Sequence, residues 1–257
     1  MTSDFSRRRF LQTSAIAAGG LFISNADAMG LEQQTQSTSG TAVGASDRIR
    51  FGIIGVGMEG SALLGSALSL PGVECVAAAD LYDGRHTLAK QITGNANLQT
   101  TRDYRELLDR KDIDCIIAAV PDFWHKQVVV DSCQAGKDIY CEKPMSHRVP
   151  EGFAMIEAAK KYNRILEIGS QRVSSALCAK AHEMYKSGAI GEVNMVELTL
   201  GRNSPTGAWE YPPPPDLSLA NLAWDTWLKD TPKIPLNPDR FARWRCWRVY
   251  GTGVAGD

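Results

Sequence analysis

Three glycines stand at G-x-G-x-x-G spacing in the run Gly55-Val56-Gly57-Met58-Glu59-Gly60. Each has a separate use at that spacing. Gly55 permits a tight turn, Gly57 lets backbone approach a diphosphate, and Gly60 lets a helix pack closely on a strand. The run directly follows the apolar stretch Arg50 to Ile54 and opens a helical pattern, the context that gives the motif its meaning. Asp80, about 20 positions further on, closes a second apolar run. A carboxylate there accepts from ribose hydroxyls and repels a 2′-phosphate, so the pattern points to NAD over NADP as cofactor. Arg85 is the one counter-signal, since an arginine close by can take a phosphate. Two further clusters end apolar runs: Ala119-Val120-Pro121, with Trp124-His125 following, and Cys141-Glu142-Lys143-Pro144. Both fall at the carboxyl edge of the expected sheet, where ligands of open α/β sheets bind.

The elements that position these residues alternate. Strands are expected at 50–54, 73–79, 114–120, 138–141 and 165–168. Helices are expected at 62–70, 83–92, 104–110, 126–134 and 151–162, with Gly94 and Gly136 as stops. This alternation predicts an α/β fold, a Rossmann-type doubly wound parallel sheet over residues 48–166. Beyond Gly169 the texture changes. An amphipathic helix is expected over 174–186, with Leu177, Ala181, Met184 and Tyr185 on one face and Gly188 past its end. A longer alternating strand is expected over 193–200, followed by a proline-rich loop over 203–219. Trp224, Trp227, Trp244 and Trp247 come next, and they suit either a sugar-facing pocket or a packed core.

The chain of 257 residues carries a net charge of −1, with 44% hydrophobic and 22% charged residues. That is ordinary globular composition, with no basic excess that would point to nucleic acid. The six cysteines form no C-x-x-C pair and stand at no metal-ligand spacing with a histidine, so no metal site is expected. Buried free thiols are the first reading of them, and a disulfide is the second.

The N-terminus reads as an address. Ser6-Arg7-Arg8-Arg9-Phe10-Leu11 precedes an apolar stretch over 15–23 and the small-x-small site Ala26-Asp27-Ala28. The arginine pair resembles a twin-arginine signal, so residues 1–28 are expected to engage that export machinery and deliver the protein to the periplasm. The apolar stretch is too short for an ordinary membrane span, and none is expected after cleavage. Residues 29–47, rich in Gln, Ser, Thr and Gly, read as a flexible linker.

The glycine fingerprint, the Glu142-Lys143-Pro144 triplet and Gly169-Ser170-Gln171-Arg172, in that order, resemble the Gfo/Idh/MocA oxidoreductases from about Arg48 onward. The resemblance implies an NAD-binding domain followed, over residues 167–257, by an incomplete α/β substrate domain with a mainly antiparallel sheet. It implies reversible oxidation of a sugar or cyclitol hydroxyl, and a homo-oligomer for the full-length protein. Lys143 corresponds to the family lysine beside substrate and nicotinamide, a residue type suited to shuttling a hydroxyl proton. Val56, Met58, Val120, Pro121, His125, Glu142, Gln171 and Arg172 are expected to join the glycines, Asp80 and Arg85 around the cofactor. His147 and His182 are expected on the surface. Asp257 corresponds to a family aspartate that precedes a catalytic histidine by four residues, so the chain is expected to be C-terminally truncated. NAD-dependent glycoside cleavage by oxidation and elimination occurs on the same fold, in relatives that usually depart from Glu-Lys-Pro. A non-catalytic NAD- or sugar-binding fragment is a further alternative.

Overall fold

The computed structural model describes residues 48–199, 208–253 and 256. The expected export signal (1–28), the expected linker (29–47), Leu200, the side chain of Arg172 and Asp257 lie outside the described residues. Six strands form one sheet: β1 (Ile49–Ile54), β2 (Val73–Ala79), β3 (Gln99–Thr101), β4 (Cys115–Ala118), β5 (Asp138–Glu142) and β6 (Leu166–Gly169). Their order is β3-β2-β1-β4-β5-β6, and every pairing is parallel. This is the doubly wound order, and its direction reverses between β1 and β4. The expected sheet is therefore present. β6 ends three residues past the boundary drawn at 166, and β3 was not expected.

The helices follow the expected ones closely: α1 (Met58–Leu68), α2 (Asp83–Thr93), α3 (Arg105–Leu108), α4 (His125–Gln134) and α5 (Val149–Lys161). Gly94 closes α2 with a left-handed φ of 63°, the conformation that a glycine adopts without steric cost. The strands are apolar on both faces because helices cover both. One cluster, around Phe51, Ile53, Val56, Leu64 and Ala78, packs under α1 and α2. The other, around Ile54, Ile116, Ala118, Val128 and Met155, packs under α4 and α5.

The second half departs from expectation in two ways. The helix α6 (Ala176–Lys186) forms and is capped by Ser175, whose hydroxyl accepts from Cys178 N at 3.1 Å. Its apolar face meets no core among the described residues, and Leu177 is 80% exposed. Residues 193–199 form no strand. A strand exists by backbone pairing, and no strand among the described residues lies beside this one. Alternating side chains alone do not make a ladder.

Residues 208–253 supply the second departure. They contain α7 (Trp224–Leu228) and α8 (Pro238–Ala242), and they were expected to belong to the substrate part. Leu222, Trp224, Trp227, Leu228 and Tyr250 instead join the same core as Ile54 and Ala118. Trp224 and Trp227 stack at 4.9 Å and are 3% and 4% exposed. Trp224 is therefore a core residue, whereas Trp227 is packed in the core and also lines a cavity.

All six cysteines are free. Cys75 and Cys115 both sit opposite Phe51, on the two sides of β1. That places them about 9–10 Å apart, beyond disulfide reach. Burial pushes their thiols up to about 12 and about 11. Among the described residues no helix is long and apolar enough to cross a membrane, and no His/Cys/Asp/Glu group could hold a metal ion.

Candidate dinucleotide site

The turn between β1 and α1 is built as its glycines require. Gly55 has φ +86°, and a Cβ there would stand 2.5 Å from the Ala119 carbonyl oxygen. A Cβ on Gly60 would stand 2.1 Å from the Gly55 oxygen. Gly57 is different: nothing lies within 4 Å of its Cβ position, so the backbone faces open space. Gly57 is also the N-cap of α1, and no side chain caps that helix. The first-turn N–H groups are therefore available to a diphosphate, whose charge the helix dipole stabilises. The residues present fit the phosphate end of a dinucleotide.

Asp80 lies at the end of β2, beside this turn. Its Oδ2 accepts from Val56 N at 2.8 Å, and its Oδ1 accepts from Tyr82 N at 3.0 Å. Burial pushes its carboxyl up, while these two N–H groups, Arg85 and His86 pull it down. A carboxylate has about four lone-pair sites, so two remain for ribose hydroxyls. Asp80 thus braces the fingerprint turn as well as lining the cavity, a role its position in the sequence did not disclose. Val56 is fully buried and contributes its N–H to that brace.

A cavity of about 580 Å³ opens over the reversal point between β1 and β4, within the usual range for ligand sites. Gly55, Gly57, Met58, Asp80, Arg85, Val120, Pro121, Glu142 and Lys143 all line it. The structure therefore gathers Gly55 and Gly57 of the fingerprint, Asp80, and Glu142 and Lys143 of the Glu-Lys-Pro triplet around one space. Sequence reasoning missed other lining residues. Arg102, Asp103, Tyr104 and Arg105 come from the loop after β3 and from α3, and Tyr211, Pro212 and Arg245 come from the C-terminal segment; Trp244, one of the tryptophans expected to suit either a pocket or a core, lines the cavity too. Glu59 also lines the cavity, although the sequence displayed it inside the motif.

His125 takes a different place from the one expected. It is fully buried behind the wall, and neither ring nitrogen is left for a cofactor. Nδ1 lies 2.6 Å from the Pro144 carbonyl and Nε2 lies 2.9 Å from the Val120 carbonyl. Burial pushes its imidazole pKa down, against the pull of Asp122 and the two carbonyls. The side chain ties the loop after β4 to the loop after β5, and so fixes the spacing of two cavity walls. His147 is half-buried rather than a free surface group, because its Nε2 lies 3.1 Å from the Arg248 carbonyl. His182 is exposed.

Glu142 is 3% exposed and anchors the β5 end of the site. Its Oε2 accepts from Lys143 N at 3.1 Å, and its Oε1 accepts from Gln171 Nε2, also at 3.1 Å. The same Gln171 amide donates to Glu59 Oε1 at 2.9 Å. Gly169 makes room for this arrangement, since a Cβ there would stand 2.6 Å from Glu142 Oε1. Burial and then the Glu59 charge push the Glu142 carboxyl up.

The C-terminal segment closes over the loop that follows Asp80. Ala223 N donates to Leu81 O at 3.0 Å, and Asp83 N donates to Asn221 O at 2.9 Å. The Tyr82 hydroxyl meets Asp216. Further along, Trp124 Nε1 donates to Trp227 O at 3.0 Å, and Asp122 accepts from Thr252 N at 2.9 Å. One segment thereby holds both the loop after Asp80 and the loop after Pro121.

Residues 49–170 match the Gfo/Idh/MocA family, described as an oxidoreductase family with an NAD-binding Rossmann fold. These residues are a Gfo/Idh/MocA dinucleotide-binding domain. NAD is the cofactor of the family's Rossmann fold. A glycosyl hydrolase family 109 protein of Saccharopolyspora erythraea is 30% identical over 176 residues, 63% of this chain and 38% of that protein. The myo-inositol 2-dehydrogenase of Lactobacillus plantarum superposes with a TM-score of 0.53 at 28% identity, over 57% of this chain and 43% of that one. A probable dehydrogenase from Thermotoga maritima gives 0.52 at 26% identity, over 56% and 42%. The chain spans less than half the length of each of these Gfo/Idh/MocA-like proteins.

Asp80→Ser tests the ribose contact. Loss of a hydrogen bond to a charged group should weaken NAD binding by about 10- to 100-fold. NADP binding should improve relative to NAD, because the repulsion of a 2′-phosphate is removed. A calorimetric NAD:NADP ratio equal to that of the unaltered chain would remove Asp80 from cofactor selection.

Proposed function

We infer that this chain supplies the cofactor-binding part of an NAD-dependent oxidoreductase acting on a sugar or cyclitol hydroxyl. The observation that carries this reading is that Lys143 and the glycine fingerprint open onto one cavity. When bound, NAD supplies the two-electron acceptor for a carbinol carbon. Lys143, beside the place where the nicotinamide end falls, takes up the hydroxyl proton. Glu142 holds the Lys143 backbone, and His125 holds the Pro144 loop, so the lysine stays in register with the cavity. The inositol dehydrogenase likeness favours a polyhydroxylated ring as substrate.

Glycoside cleavage through transient oxidation is the second reading, favoured by the family 109 relative. A panel of free sugars, cyclitols and aryl glycosides, offered to the active oxidoreductase of which this chain is the cofactor-binding part, separates the two. Net NADH formation from free polyols is the expected result. Aglycone release without net NADH would move the function to glycoside cleavage, and NAD binding with neither activity would leave a binding protein.

We further propose export to the periplasm through the twin-arginine route, on the strength of Arg7 and Arg8. Arg7→Lys combined with Arg8→Lys should retain the protein in the cytoplasm. Unchanged periplasmic yield in cell fractions would remove this proposal.

A further inference from the structure

Glu59 places a carboxylate where the fold prepares for anions. It sits in the first turn of α1, inside the glycine fingerprint, and it lines the cavity. A carboxylate there suits the helix dipole but opposes a diphosphate. Its direction is set from across the site. Gln171, which follows β6, uses one amide nitrogen to hold Glu59 Oε1 at 2.9 Å and Glu142 Oε1 at 3.1 Å. The amide thus draws Glu59 toward the β5–β6 side, next to the Lys143 end of the cavity. With both carboxylates ionised, Glu59, Glu142 and Lys143 together carry a net negative charge.

The two redox states of the cofactor differ at that end alone. The oxidised nicotinamide ring is a cation, and the reduced ring is neutral. The diphosphate, both riboses and the adenine are the same in each. Any repulsion between Glu59 and the diphosphate therefore weakens both forms alike and cancels from their ratio. What remains is the interaction of Glu59 with the charge of the ring.

We propose that Glu59, held by Gln171 against Glu142, is a specificity residue that makes this site prefer NAD+ to NADH. The inference rests on the nicotinamide lying at the Lys143 end of the cavity. A unit charge on the wall of the same cavity as the ring, at a dielectric between protein and water, shifts the ratio by about fivefold. A site with this bias retains the oxidised cofactor and releases the reduced one more readily, which suits turnover in the direction of alcohol oxidation.

The test measures dissociation constants for NAD+, NADH and ADP-ribose on the purified chain by calorimetry. Glu59→Gln should lower the ratio Kd(NADH)/Kd(NAD+) by about fivefold, and Glu59→Lys by about 25-fold, the effect of two unit charges. ADP-ribose should bind both variants at least as tightly as it binds the unaltered chain, which shows that they fold and that the diphosphate site is intact. Gln171→Ala frees Glu59 from Glu142 and should give a smaller shift in the same direction. An unchanged ratio in Glu59→Gln and Glu59→Lys, with ADP-ribose still bound, overturns the role of Glu59 and leaves the cofactor site standing. An unaltered chain that binds ADP-ribose but gains nothing from either nicotinamide overturns the placement of the ring, and this inference with it.

Discussion

Lys143→Met should slow NADH formation in the active oxidoreductase by about 100-fold or more while keeping NAD affinity within about tenfold. A positioned acid–base group contributes on that scale, and it does so in the chemical step rather than in binding. The structure supports this separation. The proposed phosphate end is Gly57 and the first turn of α1, and the proposed ribose end is Asp80. Neither depends on the Lys143 side chain. Glu142 meets the backbone N–H of Lys143, so exchange of the side chain leaves that anchor in place. Single-turnover measurements check the prediction directly. A rate near that of the unaltered protein would exclude Lys143 as the proton-transfer group, and a large loss of NAD affinity would show that it serves binding instead.

Gly60→Ala should damage both fold and binding. A Cβ at that position lies 2.1 Å from the Gly55 carbonyl oxygen and 3.0 Å from the Gly55 carbonyl carbon. Both are backbone atoms, so no side chain can swing aside. Relief requires α1 to move away from β1, against a core in which Val56 and Leu64 are fully buried. Overpacking of this kind costs about 1–3 kcal/mol, and here the upper end is expected. The same movement shifts Gly57 and the first-turn N–H groups away from the diphosphate. NAD affinity should therefore fall by about 100-fold, equivalent to about 2.7 kcal/mol. Thermal melting and NAD titration of the variant are the checks. Gly57→Ala makes the informative comparison, because a methyl group there meets open space in the protein and should spare stability while still hindering the diphosphate. Wild-type melting and affinity in Gly60→Ala would mean that the turn is looser than its geometry indicates.

The legible parts of this fold are those whose signals are local. β1, β2 and β5 are apolar runs with clear ends, and α2 carries its own glycine stop, so each could be read from neighbouring residues. β3 could not. It is three residues long, Gln99–Thr101, and it exists because β2 offers an unpaired edge. The opposite error occurred at residues 193–199, where alternation suggested a strand but no partner strand lies among the described residues. Pairing, not pattern, decides both cases.

The site shows the same division. Gly55, Gly57, Gly60, Asp80 and Lys143 were visible because their motif is contiguous or lies at a fixed offset. The second use of Asp80, as acceptor for Val56 N, was hidden in a contact across 24 residues. The bridge from Glu59 through Gln171 to Glu142 spans 112 residues and has no sequence signature. His125 was read as a cofactor neighbour from its position after Pro121. Its burial turns it inward, onto two backbone carbonyls. The tryptophans at 224 and 227 were open between pocket and core; the packing of 208–253 against the sheet puts both in the core, and Trp227 lines the cavity as well.

The central claim is that the cavity between the Gly55 turn, Asp80 and Lys143 holds NAD. Calorimetric titration of the unaltered chain with NAD and with NADP tests it most directly. The account predicts saturable binding of one NAD per chain in the micromolar range, about −8 kcal/mol, with NADP weaker by about tenfold or more because Asp80 faces its 2′-phosphate. No binding of either dinucleotide, or tighter binding of NADP, would contradict it.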